Sequence, residues 1–220
     1  MAAPKAIEAL CGLAGVGQGM LKRFCEFFRN ELQTALNIEL QSSPIVLKGT
    51  SETGLIPLAS YDVITKTLKV KQHRDDDDDG TFALTMCHEL IHHVDTTSPG
   101  IVGELFEKTK EAADPACSPL YHLARALSEA NAHLVQGLFD TGSLGTAARY
   151  GQLSIALAGA PDRISKTKEF VKTYSEAFRD AYKQRDTVQR QLELFDQHFT
   201  QDVAEAFFQQ QTRYRNALGK

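Results

Sequence analysis

Two histidines and a glutamate form the chemically most informative pattern in this chain. His88 and His92 stand four residues apart, and Glu89 directly follows the first of them. On an α-helix, residues four apart lie on one face a turn apart, so both imidazoles can reach the same Zn²⁺ ion. Glu89 lies about 100° further round the helix, where its carboxylate can act on water beside the ion without ligating it. The pattern predicts a zinc hydrolase.

The residues around this motif predict a buried helix. His88, His92 and Asp95 share one narrow polar stripe, while apolar side chains cover most of the remaining circumference: Phe82, Ala83, Leu84, Met86, Cys87, Leu90, Ile91 and Val94. A helix that is apolar nearly all round is buried, and buried imidazoles need partners. A shared metal ion is one such partner. The alternative is a core helix whose histidines bond to carbonyls or carboxylates. His93 points away from the stripe, and we expect it to be structural or exposed.

A catalytic zinc ion usually has three protein ligands and one position open to water. We predict that Glu129, on a later helix, is the third ligand, because the face that carries it has one acid, no lysine and several alanines, unlike a solvated face. A surface glutamate is the alternative. Asp95 is a rival ligand or an acceptor for an imidazole N–H. His133, one turn from Glu129, is predicted to face a substrate oxyanion or to support the ligands. Other candidate oxyanion donors are His122, Tyr121 and Tyr150.

The two motifs together resemble a known family. The run from His88 to His92, followed 37 positions later by Glu129-Ala130-Asn131-Ala132, is similar to the zincin metallopeptidases of the gluzincin type. It looks most like small bacterial metallopeptidases with an H-E-L-x-H helix and a later E-A-x-A helix. The resemblance covers about residues 20 to 140. It implies zinc held by the two histidines and Glu129, Glu89 as general base, and a sheet edge strand that binds extended peptide.

The order of sequence patterns predicts an α+β, predominantly helical fold of the zincin kind. Helical periodicity covers residues 4–37, with a break near 15–19, and short strands are expected within 45–47, 55–60 and 63–71. The last two strands are joined through Tyr61 and Asp62. The motif helix spans 81–94, stopped by Ser98-Pro99-Gly100, and helices follow at 101–113, 120–139 and almost continuously from 162 to 218. We predict a zincin-like domain at 1–160 and a helical extension at 161–220.

Composition narrows the classes of function. The chain has 220 residues, a net charge of −4 and no clustered basic face, so we expect no nucleic-acid partner. Its four cysteines include no C-x-x-C pair, which argues against a zinc ribbon or a thioredoxin-type site. No apolar run reaches membrane-spanning length, and no signal peptide is recognised, so we expect a cytoplasmic protein or one exported without a conventional signal.

The predicted activity is hydrolysis of a protein or peptide by zinc-activated water, with Glu89 taking the proton. One alternative is a helical interaction protein with a structural or vestigial zinc site, whose C-terminal helices bind a partner. Whatever the activity, the C-terminal helices are also candidates for pairing with a second copy of the chain, as a homo-oligomer. The other is a zinc hydrolase that acts on something other than a peptide. The presence of Glu89 argues against a purely structural site, because such a site needs no general base.

Overall fold

The computed structural model describes residues 18–33, 36–41, 59–71, 79–110, 118–138, 153–178 and 187–219. Its strands are β1 (Asn37–Gln41), β2 (Ala59–Asp62) and β3 (Thr67–Lys71). Its helices are α1 (Gln18–Phe27), α2 (Arg29–Gln33), α3 (Asp79–Thr97), α4 (Ile101–Thr109), α5 (Pro119–Leu138), α6 (Arg163–Phe178), α7 (Thr187–His198) and α8 (Gln201–Leu218). Residues 153–159 form a further helical segment. The prediction of a predominantly helical α+β fold is confirmed.

The described residues fall into two compact units. One runs up to Thr97 and includes the chain from Asn216, and the other runs from Ser98 to Arg215. The predicted boundary between a zincin-like domain and an extension at residue 160 stays a prediction. Among the described residues, no helix is both long and apolar enough to cross a membrane.

The first unit is built around the motif helix α3, against which α1, α2 and β2 pack. Apolar residues recur every three or four positions along α1 and α2, and this spacing places them on one buried face. Five of them are almost or wholly inaccessible to solvent: Leu21, Phe24, Cys25, Phe28 and Leu32. Helix α3 contributes Phe82, Met86 and Leu90, which are completely buried. The motif helix therefore lies in the core of this unit, as its apolar circumference predicted.

The small sheet has the strand order β1-β3-β2. Strand β3 pairs in parallel with β1 and antiparallel with β2, with Leu68 opposite both Ile38 and Tyr61. Leu68 and Val70 are fully buried while their neighbours along β3 are partly exposed. This alternation is the period-two pattern of a strand with one face on the core. Strand β2 thus lies at one edge of the described sheet, next to α3.

Two strand predictions need correction. Asn37 was assigned to the end of the N-terminal helix, but it begins β1, because the sequence from Asn37 alternates polar and apolar residues at period two. Tyr61 and Asp62 were assigned to a connection, but they belong to β2. The turn follows them, since the Asp62 Oδ1 accepts hydrogen bonds from the backbone N–H of Ile64 at 2.9 Å and of Thr65 at 3.0 Å. The predicted strand at 45–47, the first part of the one at 55–60, and helix at 4–17 lie outside the described residues.

The second unit is entirely helical in its described part. Helix α5 packs against α4, α6 and α7, and α6 also packs against α7. Phe199, directly after α7, packs its ring against Phe207 of α8 at a centroid distance of 5.4 Å. The Arg163 guanidinium lies 5.2 Å above the Phe208 ring, which is a cation–π arrangement. These two contacts connect α8 to α6 and to the residue that follows α7.

The almost continuous helix predicted from 162 to 218 is interrupted in one described place. Helix α7 ends at His198 and α8 begins at Gln201, without a glycine or proline between them. The Thr200 carbonyl accepts from the Ala204 N–H at 2.9 Å, so Thr200 occupies the N-cap position that threonine favours. Phe199, between the two helices, is buried, and its ring stacks on that of Phe195 at a centroid distance of 4.5 Å. Residues 179–186 lie outside the described ranges.

Candidate metal centre

Helix α3 presents its two motif imidazoles on one face. His88 and His92 are 7% and 1% exposed, and their ring centroids lie 5.0 Å apart with the ring planes nearly perpendicular. The helix continues for more than a turn beyond His92, so both rings project from regular backbone. The i, i+4 spacing therefore brings the imidazoles together by local geometry alone.

The carboxylate of Glu89 is held by the edge of the sheet. Its Oε2 accepts a hydrogen bond of 2.7 Å from the backbone N–H of Tyr61 in β2. Its Oε1 lies 4.0 Å from Nε2 of His88, on the side of the motif histidines. A backbone N–H does not titrate, and its hydrogen bond to a carboxylate is strong. Glu89 thus has a defined orientation, with one oxygen engaged by β2 and the other directed toward His88.

His93 is buried and structural rather than exposed. Its Nε2 lies 3.0 Å from the Glu31 carbonyl oxygen in α2, and its Nδ1 lies 2.9 Å from the Tyr61 hydroxyl. The His93 and Tyr61 rings meet edge to face at 5.6 Å. His93 therefore ties α3 to both α2 and β2.

Helix α5 holds a row of polar side chains that contact one another. Nη2 of Arg125 donates to Oε1 of Glu129 at 2.9 Å, and Oε2 of Glu129 lies 3.4 Å from Nε2 of His133. Nδ1 of His133 lies 2.7 Å from Oε1 of Gln136, an acceptor, so the proton of the neutral ring is placed on Nδ1. Glu129 and His133 are 7% and 8% exposed. The Glu129 carboxylate is therefore oriented by neighbours one turn away on its own helix.

Three side chains are close enough to hold a metal ion. His88, His92 and Glu129 are all buried, and one ligand atom from each lies within 4.8 Å of the others. Two imidazole nitrogens and one carboxylate oxygen form a donor set that Zn²⁺ accepts in catalytic sites. The residues present thus fit a zinc ion chemically. Within the described part of the chain, neither Asp95 nor His133 belongs to this group of three.

The remaining predicted site residues are placed as follows. Asp95 is buried in α3, at 1% exposure. His122 is buried in α5, where burial and, to a smaller extent, the charge of Arg125 lower its pKa. Tyr121 packs its ring against Phe106 at 5.3 Å. Tyr150 lies outside the described residues. The choice of an oxyanion donor among His133, His122, Tyr121 and Tyr150 stays a prediction.

Three supporting groups at the centre were not predicted from sequence. The contacts of Arg125 with Glu129 and of Gln136 with His133 follow helical spacings of four and three, which were visible in the sequence. The Tyr61 N–H that holds Glu89 comes from a residue 28 positions away. No spacing rule connects Tyr61 with Glu89, and Tyr61 had been predicted to lie in a connection rather than in a strand.

No family model matches this chain, and curated proteins and solved structures give no significant match to it. The resemblance to gluzincins therefore rests on the two motifs, the run from His88 to His92 and the run from Glu129 to Ala132.

Proposed function

We propose that this chain is a zinc-dependent metallopeptidase, with His88, His92 and Glu129 as ligands and Glu89 as general base. The observation that carries the proposal is the buried group of two imidazoles and one carboxylate, whose ligand atoms lie within 4.8 Å of one another. The helix that supplies both imidazoles also supplies a carboxylate suited to proton transfer, which a structural zinc site does not need. Bound zinc supplies the Lewis acidity that activates water at neutral pH and polarises a carbonyl group.

Glu89 takes the proton of the attacking water and delivers it to the leaving amine. We assign this transfer to Oε1, because Oε2 is engaged by the Tyr61 N–H at 2.7 Å while Oε1 lies on the side of His88. A base that is already oriented in the resting protein requires less reorganisation when substrate binds. The hydrogen bond from β2 therefore supports the role that the sequence pattern gives to Glu89.

Arg125 and His133 complete the proposed chemistry of α5. Arg125 engages Oε1 of Glu129 at 2.9 Å, which leaves Oε2 as the proposed ligand oxygen. Outer hydrogen bonds of this kind orient ligands in metal sites. Nε2 of His133 lies 3.4 Å from that same oxygen. We keep His133 as the proposed donor to the developing oxyanion, in its doubly protonated form, because Nε2 carries no proton in a neutral ring whose Nδ1 donates to Gln136.

A peptide is the proposed substrate. Strand β2 lies at an edge of the described sheet, and its Tyr61 N–H already contacts Glu89. An extended chain that adds to a sheet edge gains main-chain hydrogen bonds. A peptide along β2 would therefore pass beside the proposed base, in agreement with what the gluzincin resemblance implies.

The experiment compares Glu89→Gln with the wild type for zinc content and for cleavage of fluorescein-labelled casein. Glutamine keeps an oxygen that can accept from Tyr61 N–H but cannot take the water proton. Turnover should fall by about 10²–10⁴-fold with one zinc per chain retained. Glu104→Gln, on the exposed side of α4, is the matched control and should cleave casein like the wild type.

Two outcomes would redirect the assignment. Full casein cleavage by Glu89→Gln would remove Glu89 as the base. Stoichiometric zinc in a wild type that cleaves neither casein nor a quenched-fluorescent peptide library would favour a structural zinc site or a different substrate class.

A further inference from the structure

His93 is a fully buried imidazole outside the proposed ligand set, and both of its ring nitrogens have partners. Nε2 must carry a proton to reach the Glu31 carbonyl, which can only accept, at 3.0 Å. In the neutral ring Nδ1 is then the acceptor, and the Tyr61 hydroxyl donates to it at 2.9 Å. A hydrocarbon side chain would fill the same space without either bond. The bond at Nε2 therefore orients the imidazole, and the bond at Nδ1 specifies how the Tyr61 side chain lies against α3.

Tyr61 touches α3 at two points one turn apart. Its side-chain hydroxyl reaches His93, and its backbone N–H reaches Oε2 of Glu89 at 2.7 Å. Glu89 and His93 are separated by four residues, so they lie on the same face of the helix. Two contacts along one face fix both the position and the orientation of residue 61 of β2. Movement of the Tyr61 ring away from His93 would thus displace the N–H that holds Glu89.

We propose that His93 is a positioning residue for Glu89, acting through the hydroxyl and the backbone N–H of Tyr61. The inference rests on the proposed function for its catalytic consequence, whereas the physical link between His93 and Glu89 is independent of it. The imidazole anchors the Tyr61 side chain, and the anchored strand then presents its N–H to the carboxylate that takes the water proton.

The pKa of Tyr61 agrees with donation from its hydroxyl to Nδ1 of His93. Burial raises the pKa of the Tyr61 phenol to about 12, with a smaller opposing effect from its hydrogen bond to Thr96. The phenol is therefore protonated at neutral pH and able to donate to Nδ1. Thr96 itself is committed to the His92 and His93 carbonyls, at 2.9 Å each, which leaves the His93 ring as the nearer partner of the hydroxyl.

Two substitutions of His93 separate its two bonds. In His93→Asn the side-chain oxygen can take the place of Nδ1 and accept from Tyr61, while the bond to Glu31 is lost. In His93→Gln the amide nitrogen can take the place of Nε2 and donate to Glu31, while the bond to Tyr61 is lost. The proposal requires the glutamine variant to disturb Glu89 and the asparagine variant to spare it.

The first readout is hydrogen exchange of the Tyr61 amide, followed by NMR. Loss of one buried hydrogen bond in His93→Gln should speed this exchange by about tenfold or more. His93→Asn should stay within about threefold of the wild type, and the Leu90 amide inside α3 should change little in either variant. If both His93 variants fail to fold, Tyr61→Phe removes only the hydroxyl and should reproduce the glutamine result.

The second readout is the kinetics of casein cleavage. Misplacing the base should lower kcat by about 10- to 100-fold in His93→Gln, with KM and zinc content close to those of the wild type. His93→Asn should recover most of the lost kcat. Unchanged Tyr61 exchange in His93→Gln, equal acceleration in both variants, or equal acceleration at Leu90 would overturn the proposal. A wild type without zinc or turnover would refute the proposed function instead, and the exchange result would still decide the link.

Discussion

Helices α3 and α5 carry the same kinds of side chain but support them in different ways. On α3, Glu89 and His93 bond to residues 28, 32 and 62 positions away along the chain. On α5, Arg125, Glu129, His133 and Gln136 contact one another at spacings of four and three. The α5 arrangement is set by helical geometry alone, whereas that of α3 depends on the packing of β2 and α2. The geometry of the proposed base is therefore a tertiary property, and that of the third ligand is largely a local one.

Apolar packing should stabilise α3 and α5 alike. Truncation of their buried apolar side chains should give the largest losses of unfolding free energy. Phe82 in α3 and Leu127 in α5 are both fully buried. Phe82→Ala should lower the free energy of unfolding by about 3–5 kcal/mol and Leu127→Ala by about 2–5 kcal/mol, through lost contacts and residual cavities. Urea unfolding followed by far-UV circular dichroism measures both. Phe27→Ala, at a side chain that is 47% exposed, is the control and should cost less. A loss under about 1 kcal/mol at either buried site would contradict equal burial of the two helices.

The long-range support of α3 should appear in the pH dependence of stability. Burial raises the pKa of Tyr61 from 10.0 to about 12, so folding favours the protonated phenol. The corresponding stability is fully present below pH 10 and is lost as pH rises through 12, a change of about 2–3 kcal/mol. Urea unfolding between pH 9 and 12 should therefore show a steeper loss in the wild type than in Tyr61→Phe. Parallel curves for the two proteins would contradict a buried phenol that bonds to His93.

The local support of α5 should appear in metal affinity, and here the effect is smallest. Arg125→Met removes the guanidinium that holds Oε1 of Glu129 and should weaken zinc binding by about 10- to 100-fold, as loss of an outer hydrogen bond does in other metal sites. Competition with a chromophoric chelator measures the affinity. Arg190→Met, which breaks an exposed ion pair with Glu193 in α7, is the matched control. Equal affinities in the two variants would remove Arg125 from the support of Glu129.

The contrast between contacts within one helix and contacts between distant residues explains which features could be predicted from the sequence. The motif helix and the later helix with Glu129 follow from helical periodicity, and Ser98-Pro99-Gly100 ends α3 where expected. Spacing also placed His88 and His92 on one face, because that relation is local. The pairing of Tyr61 with Glu89 and His93 could not be predicted, since it depends on which strand lies at the sheet edge. Tyr61 and Asp62 were predicted to join two strands, but they end β2. The turn begins at the next residue, where the Asp62 side chain accepts from the N–H groups of Ile64 and Thr65.

Zinc content tests the central claim most directly. Wild type, His88→Ala and Glu129→Ala should be purified without chelator, supplied with equimolar zinc, and assayed by elemental analysis after gel filtration. We expect one zinc per chain in the wild type and loss of stoichiometric zinc in both variants, because each substitution removes one of the three proposed ligands. One zinc per chain retained in Glu129→Ala, or none in the wild type, would contradict the proposed centre.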